Sequence, residues 1–480
     1  MPSAQNITNS LSKTAVNGTT VMTPTETIAN MTKGFDWVGI LKWVGIFLLV
    51  GLIIGCIYIA VSQNKLIATP QNVANNAATQ KGAVDTNLAQ FYTSHAGVNT
   101  ALPVELGEPL QTNEKCFINY SPLTVQHAGF LGPKVNGVYG EKDAVTMALK
   151  TGARCFVLNI DYYGNDTTLN VDLFGNPNEP ILLYRDSSNV IRSTNAGDIG
   201  KVAQTLADLA FGNLVNNPND PLIVVLYFVN TPDPKSQDYL PFLSKVATKL
   251  QPLVPYHLGQ TSEGDYHRQT KQNDIPYQPI SSFEKKVLFF ANVDTSVFRT
   301  STSKYSPAAD LDYLVNLTIY KTSTNALGST TAAPTTIPRG VIDTIEFFSS
   351  IPTDQQATTV GKTKLAWTMA TGDSGENPSF ITLRYLEETL GIQSVPLFIC
   401  EEGKFTSPVK TKGVALPVTA APTEPESSKE NQLGYLLSYW SKVSYRPKPK
   451  GIRFVKPDNF TPATPSPKVN AMGGAVQSPQ

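Results

Sequence analysis

The sequence predicts an α/β protein: a (β/α)8 barrel of the TIM type, preceded by one transmembrane helix and flanked by extended N- and C-terminal arms. Three observations lead to this prediction. An uncharged run lies near the N-terminus, short apolar runs alternate with amphipathic segments after it, and Ser, Thr and Asn are frequent at both ends. Alternating strands and helices favour parallel strands that are joined by crossover helices.

The composition of the whole chain excludes several classes of function. Its 480 residues include 38 Lys and Arg against 38 Asp and Glu, so the formal net charge is +0, and charged residues make up 16% of the chain. Ordinary globular proteins contain roughly 25%. Proteins that coat nucleic acid, and polybasic membrane binders, need a basic excess. We therefore expect no nucleic-acid partner.

The four cysteines and four histidines do not indicate a dedicated metal or redox site. The sequence contains no CxxC pair and no HxxxH pair, and such close spacings are the usual signature of zinc and redox sites. We expect no cofactor, no disulfide framework and no metal cage built from these residues. A site made only of oxygen ligands is left open.

The N-terminal part is predicted as a polar flexible arm over residues 1–36 and a transmembrane helix over residues 37–63. The stretch WVGIFLLVGLIIGCIYIAVS, residues 43–62, carries no charge and has the length that a helix needs to cross a bilayer. It begins too far from the N-terminus for a cleaved signal peptide. We therefore expect a permanent anchor that contacts the lipid bilayer through residues 43–62, in an orientation that the flanking lysines leave open.

After the anchor, we expect a polar stalk over residues 64–115, the barrel over residues 116–445, and a basic, Pro-rich arm over residues 446–480. Within the barrel region lie eight short runs that are apolar on both faces, as is typical of buried parallel strands. The runs are FINYSPLTV from Phe117, CFVLNIDY from Cys155, PILLYRD from Pro180, LIVVLYFV from Leu222, VLFFANV from Val287, LVNLTIYK from Leu314, TKLAWTMA from Thr363 and VPLFICE from Val395.

Segments with apolar residues at helical spacing lie between many of these runs. Eight strands alternating with helices suit a closed barrel. A doubly wound open sheet is the alternative, but the glycine-rich phosphate turn that it usually carries does not follow the first run. The predicted helices cover residues 143–153, 198–213, 238–254, 342–350, 380–390 and 431–443.

The order of these pieces resembles the catalytic X region of phosphatidylinositol-specific phospholipase C. After FINYSPLTV come a helix, the turn Gly152-Ala153-Arg154-Cys155 that opens the second strand, the strand PILLYRD, a helix ending near Phe211, and the strands PLIVVLYFV and KKVLFFANV. The resemblance covers about Cys116 to Val293. Barrels similar to this family also occur among virion proteins of large DNA viruses.

The resemblance implies two histidines at strand ends as acid and base, with the phosphate charge stabilised by a calcium ion held by Asn, Glu and Asp in eukaryotic members or by an arginine in bacterial ones. The residues that align with these positions cannot perform that chemistry, so the resemblance implies a barrel that has lost its catalytic site. The aligned histidine positions are Pro122 and Arg185, and the aligned metal-ligand positions are Leu123, Val157, Asn159 and Val229.

Polar residues at the predicted carboxyl ends of strands form a candidate site, because barrel enzymes build their sites on that face. His127, in the loop after the first strand, is the candidate general base. The alternative is a solvated rim, since strands end where solvation begins. The rim residues are Asp161, Arg185, Asp186 and Glu401, with Asp294, Lys321 and Glu402 as further charges.

A basic strip near the C-terminus, YRPKPKGIRFVKP, is a candidate surface for phosphates or an acidic partner. The alternative is an extended arm that packs Tyr445, Ile452 and Phe454 onto the barrel. The strip residues are Arg446, Lys448, Lys450, Arg453 and Lys456.

These observations predict a membrane-anchored, catalytically inactive barrel that acts as a structural or docking protein. Its expected partners are the bilayer and other structural chains contacted by the terminal arms, as in a minor capsid or virion membrane protein that links an internal membrane to a protein shell. Two alternatives remain open. One is an active membrane phosphodiesterase with a rebuilt site, and the other is a module that binds phosphoinositide headgroups without cleaving them.

Overall fold

A computed structural model divides the chain into two compact units, Met1–Ile67 and Ala68–Gln480. The predicted N-terminal arm lies outside the described residues. The described ranges are 37–66, 71–82, 110–258, 275–300, 305–321, 340–372, 377–399, 437–440 and 443–458, without positions 135, 165–168, 187, 213–214, 216–217 and 438.

The first unit contains one long helix, α1 (Trp37–Leu66). Its segment Val38–Tyr58 is 21 residues long, and none of it is buried. At 1.5 Å per residue such a segment spans about 30 Å, the thickness of the hydrocarbon core of a bilayer. The predicted helix is confirmed, and it is long and apolar enough to cross a membrane.

The second unit begins with a helix, α2, at residues 71–82. Val73 and Ala77 of this helix pack against the main core, and Lys81 Nζ lies 3.5 Å from Asp143 Oδ1. Farther along, Leu110 and Glu114 are also buried. The described residues of the predicted stalk from position 71 onward therefore belong to the folded body, whereas residues 64–66 belong to α1.

The body contains thirteen described strands, most of them short. They are β1 (Tyr120–Pro122), β2 (Thr124–Val125), β3 (Phe130–Gly132), β4 (Val138–Tyr139), β5 (Cys155–Asp161), β6 (Ile181–Leu182), β7 (Leu222–Phe228), β8 (Val287–Ala291), β9 (Val315–Thr318), β10 (Tyr320–Lys321), β11 (Gly340–Thr344), β12 (Trp367–Thr371) and β13 (Tyr445–Pro447).

Helices follow most of the parallel strands. Helix α11 continues into a π-helical turn at Tyr385–Thr389. The helices of the body after α2 are α3 (Glu141–Lys150), α4 (Val171–Phe174), α5 (Ile199–Leu209), α6 (Tyr239–Lys249), α7 (Val297–Thr300), α8 (Leu311–Leu314), α9 (Ile345–Ser349), α10 (Thr353–Thr363) and α11 (Phe380–Arg384).

The strands form two main parallel sheets. One has the order β2, β5, β7, β8, β9, with β6 paired antiparallel to β5, and the other has the order β10, β11, β12. Single bridges join Met369 of β12 to Ser394, and Val125 of β2 to Leu397. The described residues thus form a mixed α/β body with parallel sheets, while closure of the sheets into a barrel stays a prediction.

Strand β5 shows why these runs are apolar on both faces. Phe156 and Leu158 belong to the core cluster that includes the helices. Cys155 and Val157 belong to a second cluster, formed with the neighbouring strands β7 and β8. Because successive side chains of a strand point to opposite faces, both faces of β5 are buried.

Three predicted elements need correction. The run PILLYRD was expected to pair in parallel, but Ile181 and Leu182 pair antiparallel with β5. The run VPLFICE forms no strand in its described part, residues 395–399, and contributes only the bridge at Leu397. The helix expected at 342–350 begins only at Ile345, because residues before it extend β11. The helix expected at 431–443 lies mostly outside the described residues.

Candidate functional site

The first parallel strand of the body is β2, and Gln126 and His127 follow its carboxyl end. Thr124 pairs with Cys155 of β5, whereas β1 pairs antiparallel with β13. Leu123 lies before β2, and its carbonyl oxygen accepts hydrogen bonds from the amides of Arg154 and Cys155.

The alignment that put Pro122 and Leu123 at the carboxyl end of the first strand is therefore wrong. The run FINYSPLTV is not one strand, because a 3-10 turn at Phe117–Asn119 interrupts it and Pro122 ends β1. Proline lacks the amide hydrogen that a continuing strand would need. His127, expected in the loop after the first strand, follows the first parallel strand, β2.

The ring of His127 is buried among aromatic rings. Its centroid lies 4.6 Å from that of Tyr184, 6.4 Å from that of Phe130 and 6.3 Å from that of Phe398. Neither ring nitrogen has a hydrogen-bond partner. Burial lowers the pKa of His127 to about 3. The imidazole is therefore neutral at physiological pH, and neither ring nitrogen is hydrogen-bonded to a described group to which it could pass a proton.

Asp161, the last residue of β5, is fully buried and has its carboxylate occupied. Arg185 donates to it from Nε at 2.5 Å and from Nη2 at 3.2 Å. Asn230 Nδ2 lies 3.3 Å from each carboxylate oxygen. This two-pronged contact is the strong geometry of an arginine and a carboxylate.

The third guanidinium nitrogen of Arg185 also makes a hydrogen bond. Its Nη1 donates to the carbonyl oxygen of Asn189 at 3.0 Å, so all three guanidinium nitrogens bond within the body. The structure thus brings together two of the predicted rim residues, Asp161 and Arg185, but as partners of one another. Neither presents an unused charge to a phosphate or a cation.

Asp186 stabilises the loop that follows Arg185. Its carboxylate accepts the amides of Ser188 at 2.9 Å and Val190 at 3.0 Å, and Arg192 Nε at 2.6 Å. These hydrogen bonds, above all the one from the Val190 amide, lower the pKa of Asp186. Asp186 therefore holds a tight turn. Glu401 and Glu402 lie outside the described residues, so the predicted rim site is described only in part.

The aligned metal-ligand positions on β5 and after β7 are mainly structural. Val157 belongs to the interior cluster, and the amide of Val229 donates to Ile160 O at 2.8 Å. Asn159 is buried, and its Oδ1 has no hydrogen-bond partner. Within the described ranges, no group of three His, Cys, Asp or Glu residues could hold a metal ion.

Two residues of this region were missed at the sequence level. Asn230 follows the strand LIVVLYFV and contacts Asp161. Gln126 follows β2, and its Nε2 donates to Gly372 O at 3.0 Å. Each is a polar residue placed within two positions of the end of an apolar run, and that placement was the available signal.

The basic strip turns inward at three of its five residues. Arg453 Nε donates to Lys448 O at 2.6 Å, and its Nη1 lies 3.1 Å from Glu114 Oε2. Lys448 Nζ donates to Thr363 O at 2.9 Å. Burial places the pKa of Lys448 well below its ordinary value.

The guanidinium of Arg446 lies 3.4 Å from the ring centroid of Tyr439 and makes an ion pair with Glu388. The prediction of a partner-binding strip is therefore wrong for Arg446, Lys448 and Arg453, because the segment packs against the body. Lys450 is exposed and Lys456 is partly buried. The alternative of a packed arm agrees with the burial of Tyr445 and Phe454.

No protein-family model matches the sequence, and no curated protein matches it either. Solved structures give distant matches. PLC21 from L. pealei has a TM-score of 0.43 and 13% identity, over 73% of this chain and 40% of that chain. A calcium-dependent phosphoinositol-specific phospholipase C from Pseudomonas sp. has a TM-score of 0.36 and 10% identity, over 62% of this chain and 96% of that chain.

A calcium-dependent phosphatidylinositol-specific phospholipase C from Streptomyces antibioticus has a TM-score of 0.34 and 12% identity, over 59% of this chain and 95% of that chain. The match thus spans about two fifths of the length of the L. pealei protein. At these scores and identities, what those enzymes bind or cleave does not carry over to this chain.

Proposed function

We propose that the chain is a membrane-anchored, catalytically inactive α/β protein whose folded body serves as a structural or docking element. The observation that carries this proposal is the pairing of Asp161 with Arg185 at the carboxyl end of the parallel sheet. Arg185 uses three guanidinium nitrogens on Asp161 and Asn189, so the described polar residues at this edge serve the fold.

Cleavage of a phosphodiester needs a base within reach of the attacking hydroxyl and a group that stabilises the phosphate charge. Of the described residues, His127 is the histidine that follows a parallel strand. Its ring packs among aromatic rings, and its ring nitrogens have no hydrogen-bond partner there. Its pKa of about 3 makes it a weak base. This geometry supports an inactive body over an active phosphodiesterase.

The headgroup-binding alternative needs Arg185 to leave Asp161 and bind a phosphate. Asp161 has no exposed surface, so its carboxylate would lose its charged partner inside the body. Leaving one member of a buried ion pair unpaired costs about 3–5 kcal/mol. A headgroup would have to offset that cost, which disfavours binding at this edge.

The anchoring part of the proposal is supported by α1, which is long and apolar enough to cross a membrane. The finer form of the proposal is a minor capsid or virion membrane protein that links an internal membrane to a protein shell. In that role, the terminal regions outside the described residues would contact other structural chains.

The test of inactivity uses the full chain in detergent micelles and vesicles that contain phosphatidylinositol. We expect no release of water-soluble inositol phosphate above buffer, with calcium or with a chelator, while a bacterial phospholipase C serves as positive control. Release that disappears in the variant His127→Ala would contradict the proposal.

The binding alternative is tested by flotation of the protein with vesicles that do or do not contain phosphoinositides. We expect no difference between the two vesicles. A preference lost in Arg185→Ala, but kept in the control Arg192→Ala, would establish the headgroup binder instead. The docking role is tested by crosslinking in native membranes or particles, where we expect a stoichiometric protein partner. A protein that is monomeric there and crosslinks to nothing would overturn it.

A further inference from the structure

His127 lies where β2 meets the segment Leu397–Ile399. The amide of Gln126 donates to Leu397 O at 2.9 Å, and the amide of Leu397 donates to Thr124 O at 2.9 Å. These two bonds belong to a single bridge, whereas β5 and β7 share six paired positions. In the described residues, this junction is therefore a thin connection between neighbouring parallel segments.

Side chains hold the junction together from both sides. Phe398 packs against His127 and against Phe130, with centroid distances of 6.3 and 5.6 Å. Tyr184 lies against His127 and stacks on Phe398 at 6.3 Å. The imidazole of His127 is thus one of four rings that pack around the junction.

Among the described residues, the side chains that line the pocket of His127 are mostly apolar. Helix α3 contributes Ala144, Val145 and Ala148 to the same pocket, and β5 contributes Phe156. Neither ring nitrogen has a hydrogen-bond partner. A protonated imidazole would therefore sit in an apolar site without a bonded acceptor, a state that burial strongly disfavours.

Among the described residues, the titratable groups near this pocket are engaged or neutral. Tyr184 faces the ring directly, and Tyr139 packs on Phe130 at 5.1 Å. Burial, with a smaller contribution from Asp161, raises the pKa of Tyr139, so its hydroxyl stays neutral. At the start of α3, Glu141 Oε1 accepts the amide of Asp198 at 2.8 Å. At the end of β5, Asp161 is paired with Arg185.

The backbone of His127 adds a second reason for instability. Its φ is 51°, in the left-handed region that residues other than glycine rarely adopt. Release of the ring would allow the backbone to return to a common conformation. Such stored strain favours an element with two alternative states.

We propose that His127 is an acid-operated latch, in which protonation of the imidazole drives the ring out of its aromatic pocket and separates the segment Leu397–Ile399 from β2. The latch opens this edge of the body locally, at the carboxyl end of β2, and leaves the pairing between β5 and β7 intact. It reverses when the pH rises and the neutral ring returns.

The size of the effect follows from proton linkage. The imidazole has a pKa of about 3 in the pocket and 6.5 when free. The equilibrium constant for opening then rises about 30-fold between pH 8 and pH 5, and about 300-fold between pH 8 and pH 4.

The test is hydrogen exchange of the full chain in detergent micelles, measured by mass spectrometry and expressed as protection factors, which correct for the pH dependence of the intrinsic rate. We expect protection in peptides covering residues 124–132 and 394–399 to fall about 30-fold from pH 8 to pH 5. A peptide from β7 should keep its protection. Unchanged protection in the two junction peptides down to pH 4 would overturn the proposal, and so would an equal fall in β7, which indicates global unfolding.

Two variants test the residue itself. His127→Phe and His127→Leu keep an apolar side chain in the pocket and remove the titrating group. We expect the junction peptides of either folded variant to keep the same protection at pH 8 and pH 5. A fall that persists in a folded variant would show that another group is responsible. If neither variant folds, the comparison of the junction peptides with β7 in the unaltered protein decides.

Discussion

Arg453 places its Nη1 3.1 Å from Oε2 of Glu114, and both side chains are almost completely buried. This ion pair joins the segment just before β1 to the C-terminal segment. Asn119 strengthens the junction, because its Nδ2 donates to Phe454 O and its Oδ1 accepts the amide of Phe454, both at 2.7 Å. A sequence strip that is basic in composition thus closes the fold.

The variant Arg453→Met should destabilise the body, because it leaves the Glu114 carboxylate buried without its charged partner. We expect a loss of about 3–5 kcal/mol in the free energy of unfolding, measured by urea denaturation followed by tryptophan fluorescence. The control Lys245→Met removes a pair with Glu179 that is partly exposed, and it should cost about 0–1 kcal/mol. Equal effects of the two variants would contradict the structural role of Arg453.

The pair of Asp161 and Arg185 predicts a rescue. Arg185→Ala should cost about 3–5 kcal/mol, because Asp161 keeps its charge in a buried site. The double variant Asp161→Asn with Arg185→Ala should recover most of that loss, since a neutral amide replaces the unpaired carboxylate. A double-mutant cycle in urea measures the coupling. Simple additivity of the two single losses would show that the residues do not act as a pair.

Phe290 tests the interior cluster of the parallel sheet. Its ring is fully buried and makes an edge-to-face contact with Trp367 at 4.7 Å. We expect Phe290→Ala to lower the free energy of unfolding by about 3–5 kcal/mol, because it leaves a cavity that the neighbours fill only partly. The control Ile381→Ala removes an exposed side chain. A loss for Phe290→Ala no larger than that of the control would place Phe290 outside the stabilising core.

Lys448 predicts a dependence on pH whose sign follows from burial. Burial lowers the pKa of Lys448 well below its ordinary value of 10.5, so the unfolded chain binds more protons at this site than the folded chain does. The stability contributed by Lys448 therefore rises with pH and reaches its full value near 10.5. Below that value the buried amine opposes folding.

As the pH rises from 7 to 10, the unaltered protein should therefore gain free energy of unfolding relative to the variant Lys448→Met. Urea denaturation at the two pH values measures it. The control Lys450→Met alters an exposed side chain and should give the same difference at both. A constant difference for Lys448→Met would mean that the amine stays charged in the folded body.

The sequence predicted the regular elements better than their partners. The buried runs from Cys155, Leu222 and Val287 contain parallel strands, because doubly buried strands have a strong compositional signature. FINYSPLTV was misjudged because its proline and its 3-10 turn divide one apolar run into pieces that pair with different strands. Apolar composition does not specify a pairing partner.

The candidate site shows the same limit. The sequence placed Asp161 and Arg185 at strand ends, where the structure has them. It did not reveal that they pair with one another. The two residues are 24 positions apart, and the contact depends on the antiparallel pairing of β5 with β6. For His127, the loop position was correct, but the rings that surround it come from Tyr184 and Phe398, far along the chain. Burial of this kind depends on tertiary packing.

The pairing of β1 with β13 also has a consequence for the order of events during synthesis. Asn119 and Phe454 are 335 positions apart, and a ribosome adds about 5–20 residues per second, so Asn119 emerges roughly 17–70 s before Phe454. The hydrophobic helix α1 is translated earlier still. Until β13 has been made, β1 lacks the strand with which it pairs in the described body, and an unpaired strand can be occupied by another chain. The nascent body therefore depends on β13, one of its last described segments, to supply the partner of β1.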